Sequence, residues 1–181
     1  MKNLGRKGFT LIELLAVITI MGILMLVAIP AVSRTIENSR RDTFATLSKQ
    51  YITTVRNAVL ADELNCGPAG AEKTVGAMPN GTYYFEINTS AGADAATQTA
   101  DIMEKVGKSS WGNADVSGYV QWTKTATGEK TKTTYSIVLV DTGKHGIAEI
   151  KQEDQITRTS VSTNTGSDPI PAPTGTECKL K

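Results

Sequence analysis

The sequence is poor in the side chains that build catalytic and metal sites. It contains one histidine, His145, and two cysteines, Cys66 and Cys178, which lie far apart in the chain. A structural zinc site needs four cysteine or histidine ligands, and a hydrolytic triad needs a histidine beside its nucleophile. No glycine-rich phosphate-binding loop follows a predicted strand. We therefore expect no enzyme, no bound metal and no cofactor, and we expect His145 to be a solvated residue of a turn.

Net charge is also low. The whole chain has a formal charge of +1, and removing the three cations Lys2, Arg6 and Lys7 from this total leaves −2 for the remainder. A dedicated nucleic-acid-binding protein usually carries a basic face. We therefore expect no dedicated nucleic-acid site.

Aromatic residues make up 6% of the sequence, and acidic residues do not cluster. Trp111 and Trp122 are interpreted as core or loop-packing residues rather than platforms for a ligand. Glu153, Asp154 and Asp168 lack the density of a calcium loop, which supplies six to eight oxygens.

What the chain does contain is a long uncharged run near its start. No charged side chain occurs from Leu14 to Ser33, and these 20 positions would form a helix of about 30 Å. That length is enough to cross the hydrocarbon of a bilayer. Glu13 lies just before the run, although a charge at the membrane centre costs about 2.5–3.5 kcal/mol. A carboxylate at this position is therefore expected to have a partner group and a function.

Three interpretations of this segment compete. A cleaved secretory signal is disfavoured because the run is too long, and because its only small-residue site, around Ala28 to Ala31, contains Pro30. A plain signal anchor explains the length and the basic leader, which would stay cytoplasmic, but it leaves Glu13 unexplained. A lipoprotein is excluded, since no cysteine follows the leader.

The third interpretation accounts for every feature of the segment. The stretch from Lys7 to Leu15, KGFTLIELL, resembles the class III signal of type IV pilins and pseudopilins. The resemblance implies that a prepilin peptidase cuts between Gly8 and Phe9 and methylates the new amine of Phe9. It also implies that Glu13 is the assembly glutamate. The other partners it implies are further pilin subunits, membrane lipid before assembly, the platform protein of the assembly machine, and an assembly ATPase that acts indirectly.

The role of Glu13 has an independent physical argument. A lone carboxyl in lipid can take up a proton, whereas in a bundle of identical helices it can meet the free amine of Phe9 on a neighbour. Breaking such a buried pair leaves an uncompensated charge at a cost of several kcal/mol. Glu13 would then set the register of polymerisation.

The apolar pattern predicts that the helix continues beyond the membrane. Apolar residues recur at three- and four-residue spacing, which predicts one helix from about Thr10 to Leu64, ended by Asn65 and the Cys66-Gly67-Pro68 breaker. Pro30 removes one backbone hydrogen bond inside it, and Gly22 is a second weak point. The outcome is either a gentle kink or local melting between Gly22 and Pro30, and the resemblance favours melting in filaments.

The rest of the chain predicts a β-rich head. Strands are expected over four segments, with a possible edge strand over a fifth and a short helix over a sixth. The strands are 82–87, 118–125, 133–140 and 146–151, the edge strand is 155–163, and the helix is 97–106. Residues 67–80 are predicted to be a loop, and the tail from Asn164 an irregular surface segment.

The two cysteines lie on the outer side of the membrane in this topology. In an oxidising compartment an even pair favours a disulfide, although two free thiols remain the alternative. The resemblance supports a bridge between Cys66 and Cys178, because many type IV pilins close a loop in this way. The spacing here is wider than is usual in that family.

These observations predict an α+β, pilin-like protein with four segments. They are a leader (1–8), a membrane-spanning and filament-core helix (9–33), an amphipathic continuation (34–65) and a head (66–181). The expected function is a structural subunit of a type IV pilus, made in the inner membrane and polymerised on the cell surface. The alternatives are a pseudopilin of a type II secretion or competence system, and a membrane-anchored binding module that never polymerises.

Overall fold

A computed structural model describes residues 9–68, 70–89, 109–112, 115–127, 130–163 and 170–181. By contacts the chain divides into two units, one ending at Ser39 and the other comprising Arg40–Lys181. The first unit contains the N-terminal part of a single long helix. The second contains the remainder of that helix and all of the described strands. The predicted helix over 97–106 lies outside the described residues.

The long helix, α1, runs from Leu11 to Leu60. It ends four residues earlier than the sequence predicted, because Asp62 adopts a left-handed conformation with φ 56°. The amide of Glu63 then donates to the Ala58 carbonyl (2.9 Å), and the amide of Asp62 donates to the Val59 carbonyl (3.3 Å). These two bonds form a Schellman motif, which usually places glycine at the left-handed position. Aspartate tolerates that position, but it gives no glycine signal in the sequence.

The described strands form one seven-stranded sheet. Its order is β2-β1-β7-β3-β4-β5-β6, and every neighbouring pair is antiparallel except β3 and β7. The strands are β1 (Leu64–Cys66), β2 (Lys73–Thr74), β3 (Gly81–Asn88), β4 (Val116–Thr127), β5 (Lys130–Asp141), β6 (Gly146–Gln152) and β7 (Thr176–Leu180). The α+β class and the four predicted strands are confirmed. The segment 67–80 is mostly loop, as predicted, apart from β2 and a 3₁₀ turn at Val75–Ala77.

Within the second unit, one face of α1 packs on one face of the sheet. Phe44, Tyr51 and Val55 from the helix share a core with alternate residues of the strands, including Trp122 and Ile137. The spacing of the helical residues follows the 3.6-residue period, and the strand residues follow the period of two. The predicted core role of Trp122 is therefore confirmed.

Two predictions for the last quarter of the chain are wrong. Residues 155–163 do not form an edge strand; they begin at the end of a 3₁₀ turn (Glu153–Gln155) and contain a second one (Arg158–Ser160), and only Ser162 makes an isolated bridge to Gly146. The Ser160 hydroxyl accepts from the Thr157 amide at 3.0 Å, so side chains take backbone bonds that a ladder would use. The tail is not wholly irregular either, because Thr176–Leu180 forms β7 inside the sheet.

Candidate functional site

The start of α1 is built around Thr10 and Glu13. The Glu13 carboxylate accepts from the Thr10 amide at 2.8 Å and from the Thr10 hydroxyl at 2.7 Å. The Glu13 amide lies 3.4 Å from the same hydroxyl. This reciprocal arrangement is a capping box, which satisfies amides that have no partner inside the helix. The capping role of Thr10 was missed from the sequence, although the Thr-x-x-Glu spacing was available as a signal.

Phe9 and Glu13 are both accessible in the single chain. The Phe9 side chain is 89% exposed, and it directly precedes Thr10. Gly8, the other residue of the predicted cleavage site, lies outside the described residues. Pairing between neighbouring copies would require an accessible Glu13 carboxylate and, after cleavage, an accessible Phe9 amine, and both residues are exposed in this chain.

The N-terminal part of α1 presents apolar side chains on all sides. Among the described residues, one helix is long and apolar enough to span a membrane, with a mean hydropathy of 2.7 in its most apolar stretch and none of that stretch buried. An all-round apolar helix needs lipid or other helices around it. Its hydroxyl groups are satisfied within the helix: Thr19 donates to the Ala16 carbonyl (2.9 Å) and Ser33 to the Ile29 carbonyl (2.9 Å). Internal bonding of this kind suits a segment that has no water around it.

Gly22 and Pro30 lie within a continuous helix. Pro30 is inside α1, which has no break between Leu11 and Leu60. No atom lies within 4 Å of the position that a Cβ on Gly22 would occupy. The structure of one chain therefore has an unbroken helix at both positions, and the predicted melting in filaments stays a prediction.

Cys66 and Cys178 form a disulfide, as the sequence favoured. The two residues are direct partners in the register of β1 and β7. Both side chains are buried in the core of the head. The bridge thus joins the strand that follows α1 to a strand more than a hundred residues further along the chain.

His145 is not the solvated residue that was predicted. Its ring stacks on Trp111, with 4.9 Å between centroids and 10° between planes, and its Nδ1 lies 3.2 Å from Asp141 Oδ1. The Asp141 side chain is fully buried and also accepts from the Ser109 hydroxyl at 2.7 Å. Since Ser109 bonds to the aspartate rather than to the histidine, the cluster lacks the serine–histidine contact of a nucleophilic triad.

This cluster joins three segments of the head. Trp111 packs on Phe44 of α1, with ring centroids 5.5 Å apart, and the Ser110 hydroxyl donates to the Arg40 carbonyl at 3.0 Å. Trp111 is therefore a packing residue, as predicted. A local sequence pattern could not reveal the contacts of Ser109 and Ser110, because they join residues 32 and 70 positions apart.

Ion pairs fasten the 3₁₀ turns to α1. Arg158 grips the Asp42 carboxylate with two guanidinium nitrogens, and this hydrogen bonding lowers the pKa of Asp42. Arg56 pairs with Glu153 while its guanidinium lies 4.9 Å from the centre of the Tyr135 ring. A polar groove of about 540 Å³ lies beside this second pair. Glu153 is thus engaged by an arginine.

Two of the three acidic residues considered for calcium lie in the described part of the chain. Glu153 faces Arg56, Asp154 is exposed, and Asp168 lies outside the described residues. In the parts of the chain that are described, no three histidine, cysteine, aspartate or glutamate side chains are grouped as metal ligands would be.

The start of the chain matches a known protein family model. Residues 3–29 match the family model described as the prokaryotic N-terminal methylation motif. No solved structure matches the chain. The matched stretch contains Gly8, Phe9 and Glu13 and extends into the apolar part of α1. The methylation motif at the start of the chain and the long apolar helix behind it support a type IV pilin-like prepilin.

Proposed function

We propose that this chain is a structural subunit of a type IV pilus. A prepilin peptidase cuts between Gly8 and Phe9 and methylates Phe9, and the subunit is then drawn from the membrane into a filament through α1. The observation that carries the proposal is the exposed apolar helix that begins with a single carboxylate, Glu13, inside the matched methylation motif. A soluble exported domain has no use for such a helix.

Polymerisation replaces lipid around α1 with copies of the same helix. Because lipid is as apolar as the helix surface, this exchange has little hydrophobic driving force, and packing and polar pairing must supply specificity. The partner we propose for Glu13 is the amine of Phe9 on a neighbouring subunit. Glu13 would then exchange part of its capping contact with Thr10 for an intermolecular ion pair.

The proposal extends to partners and location. The precursor lies in the inner membrane with its leader in the cytoplasm, and the filament is extracellular. The peptidase, the platform protein and other pilin subunits are the direct partners, and an assembly ATPase drives extension indirectly. Of the segments proposed from the sequence, 1–8 is removed, 9–33 forms the filament core, and 34–65 continues it to the head at 66–181.

The test separates pairing from capping. Glu13→Ala should abolish filaments while membrane insertion and processing persist, with loss of at least about tenfold in sheared filament. Thr10→Val removes the hydroxyl of the capping box but leaves the carboxylate, so filament yield should fall far less. Mass spectrometry of each subunit should find a methylated Phe9 as the first residue.

Five outcomes would count against the proposal. Unchanged filament yield in Glu13→Ala removes the pairing role, and equal losses in both variants make Glu13 only a helix cap. An N-terminus near Val32 would mean that the helix is discarded. Filaments that stay confined to the cell envelope would favour a pseudopilin, and the absence of any polymer would favour a membrane-anchored binding module.

A further inference from the structure

Strand β7 connects two parts of the sheet that do not pair with each other. It pairs antiparallel with β1 on one side and parallel with β3 on the other. Neighbouring strands are about 4.8 Å apart, so β1 and β3 are separated by about 9.6 Å, too far for hydrogen bonds. Without β7 the sheet would divide into a β1–β2 ribbon and a block of β3, β4, β5 and β6.

The β3–β6 block has the features of a unit that can stay folded without β7. Its strands follow one another along the chain and pair as antiparallel neighbours, with an unbroken register of twelve residue pairs between β4 and β5. Its inner face, which includes Trp122, Ile137 and Ile147, packs on Phe44 and Tyr51 of α1. β4 is joined to β5, and β5 to β6, by short connections, so these three strands form local contacts that need little loop closure, whereas β3 joins β4 through residues 89–115.

The β1–β2 ribbon depends on β7 much more. β1 has three residues and β2 has two. Backbone bonds from the Gly67 amide to the Glu177 carbonyl (3.1 Å) and from the Lys181 amide to the Glu63 carbonyl (3.0 Å) add to the β1–β7 pairing. One two-stranded ribbon of this length is at best marginal in water.

Attachment of β7 combines a tight backbone approach with one covalent bond. Gly175 precedes the strand at φ 102°, and a Cβ there would lie 2.0 Å from the Thr82 carbonyl oxygen. β7 is further held by its backbone pairing with β1 and β3, by the Cys66–Cys178 disulfide and by an exposed ion pair between Lys181 and Asp62 at 3.3 Å. Exposed ion pairs contribute little. The disulfide is therefore the covalent restraint on a five-residue strand that has three paired residues on each side.

We propose that β7 is a redox-controlled clasp of the head. When Cys66 and Cys178 are reduced, β7 leaves the sheet and the β1–β2 ribbon loosens, while the β3–β6 block stays folded on α1. When the two thiols pass two electrons and two protons to a protein disulfide, which becomes a dithiol, the clasp closes. The closed head would thus form only on the oxidising side of the membrane. This holds for the subunit whether or not it polymerises.

Hydrogen exchange of the full chain in detergent micelles tests the clasp. Amide exchange is measured by mass spectrometry before and after reduction with excess dithiothreitol, which is itself oxidised to its cyclic disulfide. We expect residues 64–66 and 176–180 to exchange at least about tenfold faster after reduction, and residues 116–127 and 130–141 to change less than about twofold. Equal acceleration in all four segments, precipitation of the reduced chain, or no acceleration in β7 would overturn the proposal.

Two variants act as controls. The double variant Cys66→Ser with Cys178→Ser should show the reduced pattern without reductant and should not respond to it. Gly175→Ala keeps both cysteines but obstructs the entry of β7 beside Thr82, so β7 should exchange about threefold faster with the disulfide intact. Slow exchange of β7 in both variants would show that neither the bond nor the close approach holds the strand.

Discussion

At the scale of single residues, glycines decide how closely the layers of the head approach. A Cβ on Gly146 would lie 2.3 Å from the Leu139 carbonyl oxygen and 2.8 Å from Phe44 Cζ, and the residue has φ 138°. A Cβ on Gly118 would lie 2.1 Å from the Val138 carbonyl oxygen. Both glycines lie where β5 meets a neighbouring strand, and Gly146 also meets α1. Because neither glycine has a side chain, β4 and β6 can approach β5 closely, and β6 can also approach α1 closely.

Gly146→Ala should destabilise the head by about 2–4 kcal/mol, because it adds a clash in the core to a strained backbone. Gly70→Ala is the matched control, since Gly70 also has a positive φ (84°) but no atom lies within 4 Å of its Cβ position. Urea unfolding of both variants in detergent measures the difference. Equal losses would mean that backbone conformation, rather than contact with Phe44, accounts for the effect.

Tyr51 predicts how the head responds to alkali. Its side chain is fully buried, and burial raises its pKa to about 12. An unfolded tyrosine has a pKa of about 10, so between pH 10 and 12 the unfolded chain releases a proton that the folded chain keeps. The stability present below pH 10 should therefore fall as the pH rises towards 12, by about 2–3 kcal/mol from this group.

Urea unfolding between pH 9 and 11.5 measures that loss. Tyr51→Phe should flatten the decline, whatever its effect at neutral pH. Tyr84→Phe, at a less buried tyrosine whose pKa is also raised, should flatten it less. A decline of the same slope in Tyr51→Phe would contradict the assignment.

At the scale of elements, α1 is the clearest case of what a sequence can predict. Its apolar period and uncharged run predicted the helix over nearly its whole length, and alternating β-branched residues predicted β3 to β6. β7 and the helix end were missed for physical reasons. β7 is short and is stabilised by partners that include a cysteine 112 positions away, while the turn after the helix has an aspartate, Asp62, in a conformation that favours glycine. Local patterns carry no information about such distant pairing.

Pro30 allows the proposed melting of α1 in filaments to be tested. Pro30→Ala restores a backbone amide donor inside the helix. A proline in a helix interior lacks that donor, which destabilises the helix by about 3 kcal/mol. Amides of residues 22–29 should exchange at least about tenfold more slowly in variant filaments than in wild-type filaments. Gly22→Ala should give a smaller effect in the same direction. Wild-type filaments in which residues 22–29 are already as protected as residues 40–60 would exclude melting.

At the scale of the whole molecule, the chain combines a part made for lipid or helix bundles with a part that has its own core. The boundary between the two compact units falls after Ser39, inside α1. The described core residues all lie beyond that point. The uncharged first part of α1 therefore suits lipid or a bundle of helices. Its amphipathic second part packs in the core of the head.

A chain that begins at Arg40 should fold alone. It should remain soluble and monomeric without detergent and keep the Cys66–Cys178 bond, because it retains every residue of the described core. Size-exclusion chromatography and circular dichroism check this expectation. A chain that begins at Thr10 serves as the control and should need detergent. Aggregation of the shorter chain would show that residues before Arg40 belong to the folding unit.

The covalent link between β1 and β7 also limits how far this molecule can lengthen under tension. A pull applied between α1 and the residues after Cys178 passes directly from one sulfur to the other, so the 112 positions that separate the cysteines carry none of it. At about 3.3–3.6 Å per extended residue, about 370–400 Å of polypeptide is withheld from stretching. Under such a load, we expect most of the lengthening to come from the apolar N-terminal part of α1.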